Sequence, residues 1–352
     1  MQPAHPPSGY PSGHPSGHPS GPATPSSTPP SSHVGMHGLP LRVGTRASPL
    51  ALVQTRAFLA RLRSFCPILR DMEVFEEHQI NTTGDRVQDR RLAEIGGKGL
   101  FAKEIHEALS DRRIDFAVHS LKDLETQLPP GIVLACTLKR EDARDAIILP
   151  PGFTPPPPGD PFSVLQQGAL VGTSSVRRQA QLAHARPDLR FATIRGNVQT
   201  RLAKLARGEC DASLLALAGL RRLDMEQAAS VVLDTEIMVP AACQGIVGVT
   251  VREDDYALRD LLAGIEDREA KAVSTAERAL LNLLDGSCRT PIGGHARILS
   301  GGVLHLTGLV AAEDGSFLLR RTLQGAVSEA EALGAELGRS LRADSPPDIF
   351  LD

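Results

Sequence analysis

Three kinds of reactive side chain stand out in this sequence of 352 residues. The first is a thiol, Cys288, inside Asp285-Gly286-Ser287-Cys288-Arg289-Thr290-Pro291-Ile292-Gly293-Gly294. Flanking glycines and a proline three residues on mark a structured turn that can present the sulfur to a ligand. A free cysteine is also often just a small buried hydrophobe, so the loop alone leaves both readings open. The second is Ser120-Leu121-Lys122-Asp123, which leaves the end of a strand-like run, Asp115 to Ser120. In open α/β sheets that edge is where ligands bind. His119 beside Ser120 suggests a nucleophile and its base, but neighbours on a strand point to opposite faces, which argues against a serine hydrolase. The third is a set of cations. Arg177, Arg178, Arg195, Arg201 and Arg222 recur at strand ends and first helical turns, and Arg46 lies at a strand-to-helix junction. A cation near a helix N-terminus costs roughly 0.3–1 kcal/mol, so five such placements point to a polyanionic partner. Arginine forks suit carboxylates and phosphates equally well. Lys98, in Gly96-Gly97-Lys98-Gly99 before a helical stretch, adds a weak anion-nest signal. It is not a Walker A loop, which needs Gly-x-x-x-x-Gly-Lys-Ser/Thr.

These groups need elements to hold them. Leu41 to Thr45 reads as a strand, Ser48 as an N-cap with Pro49 at the first helical position, and Leu52, Leu59 and Leu62 as a helical stripe. Val74 to Ile80, Asp115 to Ser120, Ile132 to Leu138 and Asp145 to Leu149 read as further strands, and Ala102 to Leu109 as a helix. A second α/β unit follows. Leu170-Val171-Gly172-Thr173-Ser174-Ser175 leads into a helix near Val176, Leu189 to Ile194 is a strand, Asn197 opens a helix from Val198 to Ala206, and Asp211 to Leu217 is a strand. Val239 to Val249 is a loop running into a strand that rejoins the first sheet. A long helix, Ala270 to Leu284, precedes the cysteine turn. Strands at Val303 to Val310 and Phe317 to Leu323 and a helix over Ser328 to Leu341 complete a small α+β unit. The expected class is α/β: two periplasmic-binding-protein-like lobes, with the chain crossing between them twice, and a small α+β C-terminal domain. The expected boundaries are 39–140 with 240–264, then 145–238, then 268–352.

Composition excludes several functions. Aromatics make up 3 % of the chain and Trp is absent, so stacking on nucleic-acid bases is not a main activity. A net charge of -3 gives no global attraction to nucleic acid or anionic membrane. No apolar run reaches the roughly 18 residues that span a bilayer. Five widely spaced cysteines, with no Cys-x-x-Cys pair, argue against a disulfide framework or structural zinc and favour a reducing cytoplasm. Residues 1–38 carry Pro-Ser-Gly every four residues from Pro7 to Pro19 and no Lys, Arg, Asp or Glu. Such a tail cannot bury a core and reads as disordered filler. Pro150 to Pro161 reads as a stiff exposed loop.

Taken in order, the motifs resemble the porphobilinogen deaminase family. They are Thr45-Arg46-Ala47-Ser48-Pro49-Leu50-Ala51-Leu52, Gly96-Gly97-Lys98-Gly99-Leu100-Phe101, Val118-His119-Ser120-Leu121-Lys122-Asp123, Gly172-Thr173-Ser174-Ser175-Val176-Arg177-Arg178-Gln179, Arg195-Gly196-Asn197 and the Cys288 loop. The resemblance runs from about Leu41 to the C-terminus. It implies a dipyrromethane cofactor joined to Cys288 by a thioether, and an active site in the cleft between the first two domains. It implies stepwise condensation of four porphobilinogen molecules on that cofactor, with loss of ammonia and release of hydroxymethylbilane, by a monomer with no nucleic-acid or membrane partner. Asp123 matches the catalytic carboxylate. Cys288, Lys98, Asp123, Ser174, Arg177, Arg178, Arg195 and Ser48 match cofactor-binding positions, and Arg46, Arg201, Arg222 and Ser175 substrate-binding ones. The growing chain carries acetate and propionate groups, so a polycarboxylate is the polyanion the arginines would meet. Glu94 departs from the lysine often found there. Two other readings compete: a non-enzymatic bilobal binder of a small anion, and a cysteine hydrolase with His295 as the nearest base.

Overall fold

The computed structural model describes residues 38–69, 74–87, 99–152, 159–284 and 290–350. Lys98, Cys288, Glu94 and the tail residues 1–37 lie outside the described residues, as do Pro155 to Pro158. The described strands form three sheets. The first has the order β2-β1-β3-β10-β4, with β1 at Leu41–Arg46, β2 at Phe75–Ile80, β3 at Phe116–Ser120, β4 at Ile132–Thr137 and β10 at Val247–Arg252. The second has the order β7-β6-β8-β5-β9, with β5 at Asp145–Ile148, β6 at Leu170–Gly172, β7 at Arg190–Ala192, β8 at Ala212–Ala216 and β9 at Val231–Leu233.

Both sheets share one plan. Three strands pair in parallel in the order second, first, third, and the strand beside the third runs antiparallel. In each sheet that antiparallel strand is the one the chain enters on crossing over: β5 after β4, and β10 after β9. The two lobes are therefore joined through central strands rather than through surface loops. β10 is buried at all six positions and β3 at four of five, as expected of strands covered on both faces.

Helix α1 (Pro49–Phe65) covers the first sheet through Phe58, Leu59 and Leu62, the stripe the leucine spacing anticipates. Short α2 is Thr83–Arg86 and α3 is Lys103–Ser110. The second lobe carries α4 (Val176–Ala185), α5 (Val198–Ala206) and α6 (Leu217–Arg222). Helix α7 (Tyr256–Ala263) returns to the first lobe, packing Leu258 and Leu262 into its core.

The third sheet is an antiparallel meander: β11 (Ile292–Leu299), β12 (Val303–Ala311) and β13 (Leu318–Ala326). Helices α8 (Arg268–Leu283) and α9 (Ala330–Ala343) pack on it. Its core does not stop at the domain edge. Leu121 and Leu124, on either side of Lys122 and Asp123, belong to the same apolar cluster as Leu280 and Leu284 of the helix that leads to the cysteine loop. The C-terminal domain thus supports the loop that presents Asp123.

Candidate active site

A cleft of about 480 Å³ is lined by both lobes. The first lobe contributes Arg46, Ser48, Asp85, Lys122 and Asp123, and the second Arg178, Arg195, Arg201 and Arg222. A cavity of about 260 Å³ shares Phe101, Lys122, Asp123, Arg178, Arg201 and Gln244 with it and adds Ser174, Ser175 and Arg177. That second cavity also touches Leu281 and Ile292, which flank residues 285–289 in sequence. Of the twelve positions marked by the resemblance, all but Cys288 and Lys98 are described, and those ten line one or the other cavity.

Asp123 ends a single 3-10 turn, Leu121–Asp123, at the C-terminal edge of β3. Its Oδ2 accepts from Arg46 Nη1 at 3.3 Å. Arg46 is held on three sides. Its Nε donates to Asp85 Oδ2 at 3.0 Å, its Nη2 to Asp85 Oδ1 at 2.5 Å, and its guanidinium lies 4.2 Å from the Phe101 ring centroid. Burial works to raise the Asp85 pKa, and the Arg46 fork and Thr82 more than offset it, leaving the carboxyl below its usual range. One arginine therefore bridges two carboxylates, a geometry suited to fixing Asp123 in place.

Arg177 and Arg178 follow the N-cap Ser175, whose Oγ accepts from Arg178 N at 3.5 Å. Both are buried and share one carboxylate, the fully buried Asp145 at the start of β5: Arg177 Nη2 lies 2.8 Å from Oδ2 and Arg178 Nη2 2.7 Å from Oδ1. Burial opposes the Asp145 charge, but the two guanidinium groups hold its pKa far below the usual carboxylate range. Arg177 is pushed down, because burial and Arg178 outweigh the Asp145 it faces. Two cations for one anion leave an excess positive charge in a desolvated place, which a further carboxylate would relieve.

The remaining cations are aimed by backbone carbonyls. Arg195 Nη2 donates to Gly84 O of the first lobe at 3.1 Å, Arg201 Nε to Gly196 O at 3.0 Å, and Arg222 Nη2 to Gly245 O at 2.7 Å. Burial, with Arg178 and Arg195 nearby, pushes Arg201 down to about 10. Burial also pushes Lys122 down to about 8, with Asp123 opposing. Its Nζ donates to Gln244 Oε1 at 3.1 Å. Around the larger cleft, among the described residues, six cations (Arg46, Lys122, Arg178, Arg195, Arg201, Arg222) face two carboxylates (Asp85, Asp123).

His119 and Ser120 turn to different partners, as alternation along a strand requires. His119 Nε2 meets Thr250 Oγ1 at 2.8 Å, and burial pushes the ring down to about 3. Ser120 Oγ instead donates to Gln54 Oε1 at 3.0 Å. His295, on β11, is likewise pushed down to about 3 by burial, with Arg140 and Arg297 nearby. Sequence reasoning passed over Asp85, Phe101 and Gln244. Asp85 lies just past the end of β2, so the same sheet-edge rule that marks Asp123 would have marked it. Gln244 arrives on the returning crossover and carries no local signal.

The chain matches the family model described as porphobilinogen deaminase, dipyromethane cofactor binding domain, over residues 41–260. It matches the porphobilinogen deaminase C-terminal domain over residues 271–343. It is 46 % identical over 308 residues to the porphobilinogen deaminase of Nitrobacter hamburgensis, covering 88 % of this chain and 94 % of that one. It is 47 % identical to those of Paracoccus denitrificans (88 % and 96 % covered) and Sorangium cellulosum (86 % and 98 % covered). Among solved structures it is similar to the Bordetella pertussis BvgS VFT2 domain, with a TM-score of 0.38 and 13 % identity over 67 % of this chain and 91 % of that one. A periplasmic binding protein from Brucella ovis with glutathione bound gives a TM-score of 0.38 and 16 % identity over 70 % and 68 %. Two family models that together span both lobes and the third domain, and relatives alike over nearly their whole length, establish that the chain belongs to the porphobilinogen deaminase family.

Proposed function

We propose that this chain condenses four porphobilinogen molecules stepwise on a dipyrromethane primer carried by Cys288, releasing ammonia at each step and finally hydroxymethylbilane. The observation that carries this reading is a fixed carboxylate, Asp123, 3.3 Å from Arg46 in a cleft lined by cations of both lobes. The donor set fits the primer. A dipyrromethane bears acetate and propionate carboxylates on two pyrrole rings, and the cleft offers guanidinium forks, with Arg46 stacked on Phe101. The chemistry the bound group supplies is a nucleophilic pyrrole α-carbon on a fixed tether. Leu281 and Ile292, on either side of the Cys288 loop, touch the smaller cavity, which supports a tether that opens into it.

The chain's own residues do the rest. Arg177, Arg178 and Arg195, with Ser48, Ser174 and Lys98, hold the primer's carboxylates. Arg46, Arg201, Arg222 and Ser175 take those of the incoming unit. Asp123 stabilises the positive charge that appears on pyrrole nitrogen as ammonia leaves, and its carboxylate takes up the proton lost when the α-carbon couples. Placing an ionised acceptor where charge develops, in a site with few competing waters, is where such stabilisation is largest. The finer reading is a cytoplasmic monomer. Its first half is supported by Cys66, Cys136, Cys210 and Cys243, free thiols that suit a reducing compartment. No helix among the described residues is long and apolar enough to cross a membrane.

Intact mass tests the tether. The purified protein is expected to be heavier than its sequence by two pyrrole units, and Cys288→Ala to lack both the increment and turnover of porphobilinogen. Wild-type protein at the bare chain mass that still forms hydroxymethylbilane would overturn the primer. Asp123→Asn is expected to keep the mass increment and lose at least a hundredfold in kcat, within the usual reach of acid–base and charge stabilisation. Near-normal turnover would remove Asp123 from the chemistry.

A further inference from the structure

The chain returns from the second lobe to the first through a turn at Ala242 to Gly245. Its backbone is bent where few residues go. Cys243 has φ 63° and Gly245 φ 90°, both in the left-handed region that most L-residues avoid. A Cβ at Gly245 would lie 2.3 Å from Glu141 O, so this position accepts only glycine. Gln244 sits between them with its side chain fully buried. Its carbonyl accepts from Arg140 Nε at 2.8 Å, and Arg140 Nη1 donates to Glu277 Oε1 of α8 at 2.6 Å. Cys243 N also donates to Glu277, at 2.5 Å. The turn is thus clamped from the helix that leads to the cysteine loop.

So held, the Gln244 carboxamide reaches three groups on two lobes. Oε1 accepts from Lys122 Nζ at 3.1 Å, and Nε2 donates to Ala143 O at 2.7 Å and to Asp145 Oδ1 at 2.8 Å. Lys122 precedes Asp123 in the first lobe. Asp145 is the shared partner of Arg177 and Arg178 in the second. One amide therefore connects the loop bearing the catalytic carboxylate to the anchor of the paired arginines. A carboxamide suits this position because it carries an acceptor at one end and donors at the other. Neither a hydrocarbon nor a charged group of the same length offers both.

We propose that Gln244 is a positioning residue for the condensation: it holds the Lys122 ammonium in the cleft and fixes the register of Lys122 and Asp123 against the Asp145–Arg177–Arg178 cluster. This rests on the cleft being the site of condensation, as argued above. The charged groups that face Lys122 are Asp123, Arg178, Asp145 and Arg177. With two arginines beside it, the ammonium depends on neighbouring acceptors to stay charged, and Gln244 Oε1 is a neutral one.

The test reads the Lys122 amine directly in the full-length, cofactor-loaded protein. Its rate of acetylation by acetic anhydride is followed against pH by peptide mass spectrometry, in wild type, Gln244→Leu and Gln244→Glu. Loss of a hydrogen bond to the charged form lowers the midpoint, so the leucine variant is expected about one pH unit below wild type. A carboxylate at Oε1 favours the ammonium, so the glutamate variant, which keeps the length, is expected above wild type. The alkaline limb of kcat/KM for porphobilinogen is expected to move in the same two directions. A role confined to stability lowers the melting temperature and moves neither. Coincident midpoints in wild type and the folded variants would overturn the inference. Because the labelling needs no turnover, that result is distinct from failure of the cleft as the condensation site, which the mass and activity measurements decide.

Discussion

Asp145 shows how far a single carboxylate sets the character of this cleft. It is fully buried, it accepts from Arg177, Arg178 and Gln244, and its pKa is held far down by the two guanidinium groups. A carboxyl with a depressed folded pKa stabilises the fold above its unfolded pKa of about 3.9, and that contribution is lost as pH falls through the folded value. Asp145→Asn leaves two buried arginines sharing no anion, which costs roughly 3–5 kcal/mol. Urea titrations at pH 7 are expected to show that loss. As pH falls below about 3.9 the gap to wild type is expected to narrow, because the unfolded wild-type chain takes up a proton at Asp145 that the folded protein still resists. A gap that stays constant into acid would place the stabilisation elsewhere. None of this was legible in the residues themselves. The arginines at the helix start were visible, and so was their unfavourable placement at a helix N-terminus. Their partner lies 32 and 33 positions away in sequence, and no local pattern announces it. The same limit applies to Arg46, whose two carboxylate partners sit on the short helical turns that follow two other strands.

Elements were more legible than contacts, because periodicity and caps are local. Ser48, Ser175 and Asn197 each accept from a backbone N–H in the first turn of the helix they open, as their residue types suggest. Val247–Arg252 returns to the first sheet with valines at alternate positions and every residue buried, Thr250 and Arg252 included. β9 escaped notice: three residues on a sheet edge, paired only with β5, carry too little pattern to read. Helix α7 had its signal, an Asp255 cap with Leu258 and Leu262 one turn apart. The expected strand Leu189 to Ile194 shrinks to Arg190–Ala192, where pairing with β6 ends. Sequence spacing also left unread a close helix–helix contact in the C-terminal domain. Gly334 of α9 lies so close to α8 that a Cβ there would sit 2.2 Å from Ala276 O and 2.8 Å from Ala279 Cβ. Gly334→Ala gains about 1 kcal/mol of helix propensity, yet the clash is with backbone and forces the helices apart, at about 1–3 kcal/mol. The net expectation is a lower melting temperature, together with a smaller fraction of protein carrying the cofactor mass. A more stable variant with full loading would show that α8 has room to move without disturbing the loop it leads to.

At the scale of the whole molecule, charge is distributed against its own average. The chain carries a net charge of -3, while the cleft gathers six cations against two carboxylates among the described residues. A concave, low-dielectric site focuses such a field and concentrates an anionic substrate. Salt then separates capture from chemistry. Between 0.01 and 0.15 M the screening length falls from about 30 Å to about 8 Å, so attraction of porphobilinogen from solution weakens. Pairs already desolvated, such as Arg177 and Arg178 with Asp145, are screened much less. Initial rates over that range are expected to show KM rising several-fold while kcat changes little. Residues 1–38 contain no Lys, Arg, Asp or Glu, so a chain beginning at residue 39 is expected to keep both the activity and the salt dependence of KM. If kcat falls with salt while KM stays fixed, the cations serve the bound transition state rather than capture. A shortened chain with an altered slope would give the tail a part in substrate binding.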